Sequence, residues 1–280
     1  MTSNMSYKGQ HTAKLLSPKV WGQFPVKQAS CMIGGEFRIA DFRDARSTAI
    51  ATPDATVTSG DIRVADTGAA DIDIKRSLDS GTPVLDWTPD NGEDLVIGPQ
   101  IVFDMSAGRP WAFECRISDA DASANSVFAG LASLNGGGAT TFDGYTVAYI
   151  QIDGGTLYTD RALVGFQAAE SASVYGVVKD RGTADASAYQ VSGSSTAIKS
   201  GATMSAVATM ADDTFVKLGL YSDGKTIRWF VDNSEVANLA MGSTELPSGD
   251  YDSSMVPVVA LNAAGTTLMQ GDWCACGYLV

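Results

Sequence analysis

The sequence predicts an all-β chain folded as a sandwich or barrel, and three observations carry that expectation. Short stretches of alternating apolar and polar residues recur between turn signals spaced about 8–12 residues apart, the pattern of antiparallel strands. Helical periodicity is almost absent; Met204 to Asp213 is the one stretch read as a short helix. The chain has 280 residues, 45% of them hydrophobic, with a mean hydropathy of +0.02, which suffices for a core without disulfides and is too apolar for wholesale disorder.

The first sixty residues read as an extended N-terminal arm with at most short strands. Pro18, Pro25 and Pro53 punctuate it, and each biases its predecessor toward extended backbone. Its apolar residues Leu15, Leu16, Val20, Trp21, Phe24 and Ile33 are isolated anchors, a pattern suited to lying across a surface, either its own domain's or a partner's. Glu36 to Phe42 alternates and reads as a first strand. Residues 61–280 read as the sandwich. Ile72 and Ile74 alternate with Asp71 and Asp73, and Val84 to Trp87 precedes a Thr-Pro-Asp-Asn-Gly turn.

From Trp111 onward the strand signal strengthens. Trp111, Phe113, Cys115 and Ile117 alternate with Ala112, Glu114, Arg116 and Ser118, a half-buried strand. Val127 to Ala132, Tyr145 to Ile152, Leu163 to Phe166 and Val174 to Val178 continue the series. The clearest segment is a three-strand meander over Phe215 to Leu239, with a hairpin turn at Ser222 to Lys225, where Gly224 supplies positive φ, and a second turn at Asp232 to Glu235. Val256 to Leu261 and Leu268 to Leu279 read as a closing strand pair. A sandwich of this size is most often a jelly roll.

Several function classes fall away. The one histidine, His11, excludes multi-His metal sites. No apolar run approaches the roughly 18–20 residues of a membrane helix. Leu15 and Leu16 run straight into Ser-Pro-Lys, so no cleaved export signal is expected. Residues 1–50 carry seven Lys and Arg against three Asp and Glu, whereas residues 51–280 carry 12 against 29. An acidic body repels phosphates, which argues against a nucleic-acid partner, and a weakly basic arm suits an acidic surface.

The motifs are sparse. A glycosidase needs two carboxylates about 5–10 Å apart, which on a strand appear as Glu-x-Asp-x-Glu, and no such triplet exists here. Asp119, Asp121, Ser123 and Asn125 resemble the start of a calcium loop, but Ala124 and Gly130 stand where such a loop needs Gly and an acid, so a solvated polar loop is expected. Cys274 and Cys276 point the same way on a strand and rarely bridge; with Cys31 and Cys115 they read as free thiols, and neither metal nor cofactor is expected. Trp111, Trp229 and Trp273 lie in phase with apolar faces and read as core. Trp87, beside its turn, and Trp21, in the arm, are freer: Trp87 is the candidate glycan contact, and Trp21 the docking anchor, with packing on its own domain as the alternative.

The meander, with its strand, Asp-Gly, strand, Asp-Asn, strand order over Phe215 to Ala237, resembles concanavalin A-like (laminin-G/glucanase-type) jelly rolls. Trp111 to Ile117 is similar to an early core strand of that fold, and Val258 to Leu261 with Leu268 to Trp273 to its last hairpin; the resemblance covers about 100–280. An arm before such a domain resembles tailed-bacteriophage virion proteins. The chain lacks the Glu-x-Asp-x-Glu of the enzymatic branch and the calcium and manganese ligands of the legume-lectin branch. The resemblance implies a non-enzymatic capsid decoration (cement) protein on the virion surface, made in the host cytoplasm, with the major capsid protein as partner and self-association into a homo-oligomer. Trp21, Phe24, Lys14, Lys19 and Lys27 would form the docking set on the arm. The alternative is a carbohydrate-binding module or a tail-associated receptor binder, and in neither case is a membrane involved.

Overall fold

The structure is a computed structural model. It describes residues 16–22, 35–41, 48–50, 56–59, 62–66, 72–79, 82–88, 94–99, 101–133, 141–142, 145–146, 162–168, 171–179, 189–191, 197–199, 206–241, 254–262 and 268–279. Side chains are described for 16–22, 36–39, 101–133, 162–168, 171–178, 206–241, 254–260 and 268–279.

In chain order the elements are α1 (Pro18–Trp21), β1 (Gly35–Asp41), β2 (Thr48–Ile50), β3 (Thr56–Ser59), β4 (Ile62–Asp66), β5 (Ile72–Asp79), β6 (Thr82–Thr88), β7 (Asp94–Pro99), β8 (Phe103–Asp104), β9 (Trp111–Asp119), β10 (Ser126–Ser133), β11 (Thr141–Phe142), β12 (Tyr145–Thr146), β13 (Leu163–Ala168), β14 (Ser173–Lys179), β15 (Tyr189–Val191), β16 (Ala197–Lys199), β17 (Ala208–Thr209), β18 (Val216–Ser222), β19 (Thr226–Val231), β20 (Ser234–Ala240), β21 (Ser254–Asn262) and β22 (Met269–Leu279). A nine-stranded sheet runs β2-β5-β6-β22-β9-β18-β19-β20, with β1 also against β22. An eleven-stranded sheet runs β16-β15-β14-β13-β10-β21-β7-β4-β3, with β17 beside β14 and β8 beside β21. Neighbours that are remote in sequence, such as β22, β9 and β18, make this a jelly-roll sandwich rather than a simple meander.

The inward-facing residues explain the two layers. Phe113, Cys115 and Ile117 on β9, Leu218 and Leu220 on β18 and Trp229 on β19 pack in one core with Val127, Ala129 and Leu131 on β10, Val164 and Phe166 on β13 and Val259 on β21. The Trp229 Nε1–H crosses between the layers to the Gly165 carbonyl at 2.8 Å, satisfying a buried donor. Gly165 and Gly130 are register partners, and a Cβ on Gly165 would meet the Ala129 carbonyl oxygen at 2.5 Å and Gly130 Cα at 2.9 Å, so the strands close here only with glycine.

The meander forms as the sequence predicts. Gly224 has φ +84°. Asp223 Oδ1 accepts from the Lys225 and Thr226 amides, each at 2.8 Å, which closes the turn. Asp232 and Asn233 have φ of 46° and 66°, the left-handed pair that suits a tight hairpin.

Other expectations are corrected. The closing strands do not pair with each other: β21 lies between β10 and β7 in one sheet, and β22 between β9 and the β6/β1 edge in the other. The segment 206–213 is not helical; β17 adds to the edge of β14, and Val207 and Met210 amides bond Val174 and Ala172 carbonyls at 2.8 Å, a better outlet for the backbone than an isolated short helix. Trp273 is buried, but a bulge between Gly271 and Trp273 turns it to the outer face, away from Cys274 and Cys276. Within residues 1–60, where short strands are expected, β1, β2 and β3 pair with β22, β5 and β4. The Tyr145 to Ile152 strand is described only at β12, and the rest lies outside the described residues.

Candidate functional site

Strand β9 occupies the middle of the nine-stranded sheet and is buried on both faces, not on one. Its outward residues Ala112 and Glu114 are sealed because residues 17–22 lie across them as a strap. Ser17 precedes proline and has the extended φ −68° and ψ 121° expected there; Pro18 opens the single turn α1, where its missing N–H costs nothing. The turn closes on itself through the Val20 and Trp21 amides to the Ser17 carbonyl at 3.1 and 3.0 Å and the Gly22 amide to Pro18 at 2.7 Å.

Glu114 is the strap's anchor. Its Oε2 accepts from the Ser17 amide at 3.0 Å and from the Trp21 Nε1–H at 2.8 Å. The Lys19 amide donates to Asn233 Oδ1 at 2.9 Å, tying the strap to the β19–β20 turn. Trp21 meets Phe37 of β1 edge-on, with ring centroids 5.1 Å apart. Val20, Trp21, Ala112, Tyr221, Phe230, Trp273 and Ala275 form a second apolar cluster on this outer face. Gly219 makes room for it, since a Cβ there would stand 2.8 Å from Val20 Cγ2. Burial pushes the Glu114 carboxyl above the usual range, and the Ser17 and Trp21 bonds and Lys217 pull partly the other way. Beside it on β9, Arg116 Nη1 donates to Asp272 Oδ2 at 2.9 Å and the guanidinium lies 4.0 Å over the Phe215 ring. Glu114 is therefore a structural latch whose oxygen is already committed, not an open acid.

Next to the strap the same face becomes polar. Tyr221, Arg228 and Asn238 are register partners across β18, β19 and β20 and so share the outer side. Arg228 lies between two carboxylates, 3.7 Å from Asp223 Oδ2 and 3.6 Å from Glu235 Oε2, with about a third of each side chain exposed. These separations are ion pairs without a hydrogen bond, and the Arg228 Nε–H is also unbonded. Asn238 Nδ2 donates to Glu235 Oε1 at 3.2 Å, which orients that carboxylate.

The residues singled out in the sequence are distributed unevenly over this geometry. Trp21 is buried on its own sheet rather than offered to another surface, because its N–H finds Glu114 and its ring finds Phe37. Lys19 stands on the strap with its side chain exposed. Phe24, Lys14 and Lys27 lie outside the described residues, as does the side chain of Trp87, whose backbone on β6 pairs with Met269 and Ile74. The expectation of a solvated loop at Asp119 is corrected: Asp119 is buried, its Oδ1 accepting from the Asp121 amide at 3.1 Å and Asn125 Nδ2 at 2.6 Å, so the alternating oxygens close a turn. Among the described residues no group of three metal-ligating side chains occurs. Cys115, Cys274 and Cys276 are free and buried, and burial pushes all three thiols up. Glu114 and Arg228 were missed as site residues; Glu114 was legible only as an acid in the middle of an otherwise apolar strand.

No protein-family model and no curated protein sequence matches the chain. Among solved structures it is similar to the Emp47p carbohydrate recognition domain, at 9% identity and TM-score 0.44, covering 84% of this chain and 98% of that one. It is also similar to a Bacteroides ovatus glycoside hydrolase family 16 endo-glucanase, at 10% identity and TM-score 0.43, covering 72% and 84%. A second Bacteroides ovatus family 16 protein, from a mixed-linkage glucan system, matches at 11% identity and TM-score 0.45, covering 85% and 99%. These are concanavalin A-like jelly rolls. The fold assignment here rests on this chain's own two sheets.

Proposed function

We propose that the chain is a non-catalytic carbohydrate-binding sandwich whose glycan site is formed by Arg228 and Asn238 with Asp223 and Glu235, beside the buried Tyr221. The observation that carries this reading is Arg228, about a third exposed and held between the Asp223 and Glu235 carboxylates at 3.7 and 3.6 Å, distances that leave its terminal N–H groups for a ligand. Adjacent sugar hydroxyls present paired donors and acceptors, and planar guanidinium, carboxylate and carboxamide groups meet them without rearrangement. A site whose groups are already ordered spends less of its binding energy on fixing side chains. The non-catalytic part of the reading is supported by Glu114, whose Oε2 is occupied by two donors beneath the strap and cannot reach a substrate proton.

The capsid-decoration expectation keeps the charge asymmetry of the chain as its support. Its anchor Trp21 is spent on the chain's own sheet, so a grip on a shell would fall to Lys19 and to residues outside the described set.

Glycan-array screening followed by titration calorimetry tests the proposal. One class of glycan should be retained by the wild-type chain, and Arg228→Ala should weaken it at least about tenfold, the loss of one charge-assisted contact, without changing the circular dichroism. Equal binding by the variant, or no glycan retained by wild type, would overturn it.

A further inference from the structure

We propose that Cys115 and Cys274 form a disulfide site: they face each other across β9 and β22, and they close into a cross-strand disulfide when the chain folds in contact with a small-molecule disulfide. The two residues are register partners at the middle of the nine-stranded sheet, both are free thiols with no exposed surface, and both point into the core between the sheets.

The backbone fixes how close they stand. In an antiparallel ladder, partners that exchange hydrogen bonds alternate with partners that do not. The Leu279 amide donates to the Pro110 carbonyl at 3.0 Å, so that pair is hydrogen-bonded. Stepping back along the register through Tyr278, Gly277, Cys276 and Ala275 puts Cys274 and Cys115 on a non-hydrogen-bonded pair, short of the bulge between Gly271 and Trp273. A second bond agrees. The Asp232 amide donates to the Lys217 carbonyl at 3.0 Å, so Leu218, the next residue, turns its backbone groups away from β19 toward β9, where its partner is Cys115. The Cys115 N–H and C=O therefore face β18 and not β22. Non-hydrogen-bonded partners have Cα atoms about 4.5 Å apart with the side chains drawn together, inside the range of about 4.4–6.8 Å that a disulfide spans. Cys276 stands opposite Phe113, and its diagonal to Cys115 is about 7–8 Å, too long for a bridge. The geometry thus selects one pairing among the three described thiols.

The chemistry is two thiol–disulfide exchanges. The Cys274 thiolate attacks the small disulfide and releases one small thiolate; the Cys115 thiolate then attacks the Cys274 sulfur and releases the second. The two protons go to the released thiolates, the protein loses two electrons, and the small disulfide gains them. Burial pushes both thiols up in the closed sheet, and Cys274 pushes Cys115 further, so the exchange belongs to states in which β9 and β22 are still pairing or have opened. Once closed, the bond is sealed in the core and ties together residues about 160 apart in sequence.

Peptide mapping tests this. The full chain is refolded from urea with oxidised and reduced glutathione, or held folded in the same mixture at a urea concentration below its midpoint. It is then alkylated in urea and digested without reduction. The expected product is a peptide pair joining Cys115 to Cys274, with Cys276 alkylated. The linked chain should unfold at a urea concentration about 1 M higher than the same chain in dithiothreitol. Cys276→Ser should keep that difference, and Cys115→Ser should lose it. Cys115 and Cys274 both alkylated after both treatments, or either of them joined to Cys31 or Cys276 instead, would overturn the proposal.

Discussion

Trp21→Ala is the perturbation that bears most directly on the strap. The indole is 6% exposed and donates to Glu114. A buried aromatic of this size covers about 150–250 Å², worth about 4–6 kcal/mol of gross transfer free energy at ~25 cal/mol/Å². That gain is set against ordering six residues, each costing about 1 kcal/mol or more of backbone entropy. The strap can lift away and leave the two sheets intact, so the variant loses only the net docking free energy, about 1–3 kcal/mol, rather than the larger cost of a core cavity. Trypsin reads this out, because Lys19 lies on the strap with its side chain exposed and is cleaved once the turn opens. When opening is fast relative to cleavage, the rate follows the open population, so cleavage after Lys19 should rise about 5- to 150-fold, followed by mass spectrometry. An unchanged rate would refute the reasoning, since it would mean that the indole does not hold the strap down.

Further predictions follow from the same geometry. Glu114→Gln keeps an oxygen acceptor for both strap donors and removes the cost of burying charge. Because burial raises the native carboxyl above its ordinary 4.5, Glu114 contributes fully below that pH and loses its contribution as pH rises through the native value. The variant should therefore match or exceed wild type in urea at neutral pH and show a flatter decline of stability from pH 4.5 upward; a steeper one would contradict this assignment. Gly165→Ala forces a Cβ against the Ala129 carbonyl and Gly130, and should cost about 1–3 kcal/mol, seen as a lower thermal midpoint with the strap's protease resistance unchanged. Cys115, Cys274 and Cys276 should resist alkylation in the native chain and react fully in urea, since burial disfavours each thiolate; rapid native labelling of any of them would contradict their placement.

What the sequence revealed and what it hid divide along contact range. The meander was legible because its signals are local: alternation in β18 and β19, Asn and Asp where φ is positive, and Gly224 at the tip. The core tryptophans Trp111 and Trp229 were legible from phase alone. Trp273 is core as its phase suggests, but the extra residue at the bulge between Gly271 and Trp273 puts it in the outer cluster rather than between the sheets. The order of strands in the sheets was not legible, since β21 and β22 adjoin in sequence and part into different layers. The site was the least legible of all. Glu114 and Trp21 are 93 residues apart, and only the folded sheet brings an arm residue onto an acid in the middle of β9. The polar row at Arg228 is not visible along the chain, because it exists only where three strands are aligned side by side.

The central claim is that the strap is latched to Glu114 through the Trp21 indole, and hydrogen exchange of the five tryptophan indole N–H resonances measures it directly. The account predicts a slowly exchanging Trp21 N–H whose protection is lost in Glu114→Ala while the Trp229 N–H, bonded across the core to Gly165, keeps its own. A Trp21 indole that exchanges at the rate of a free peptide in the wild-type chain would contradict it.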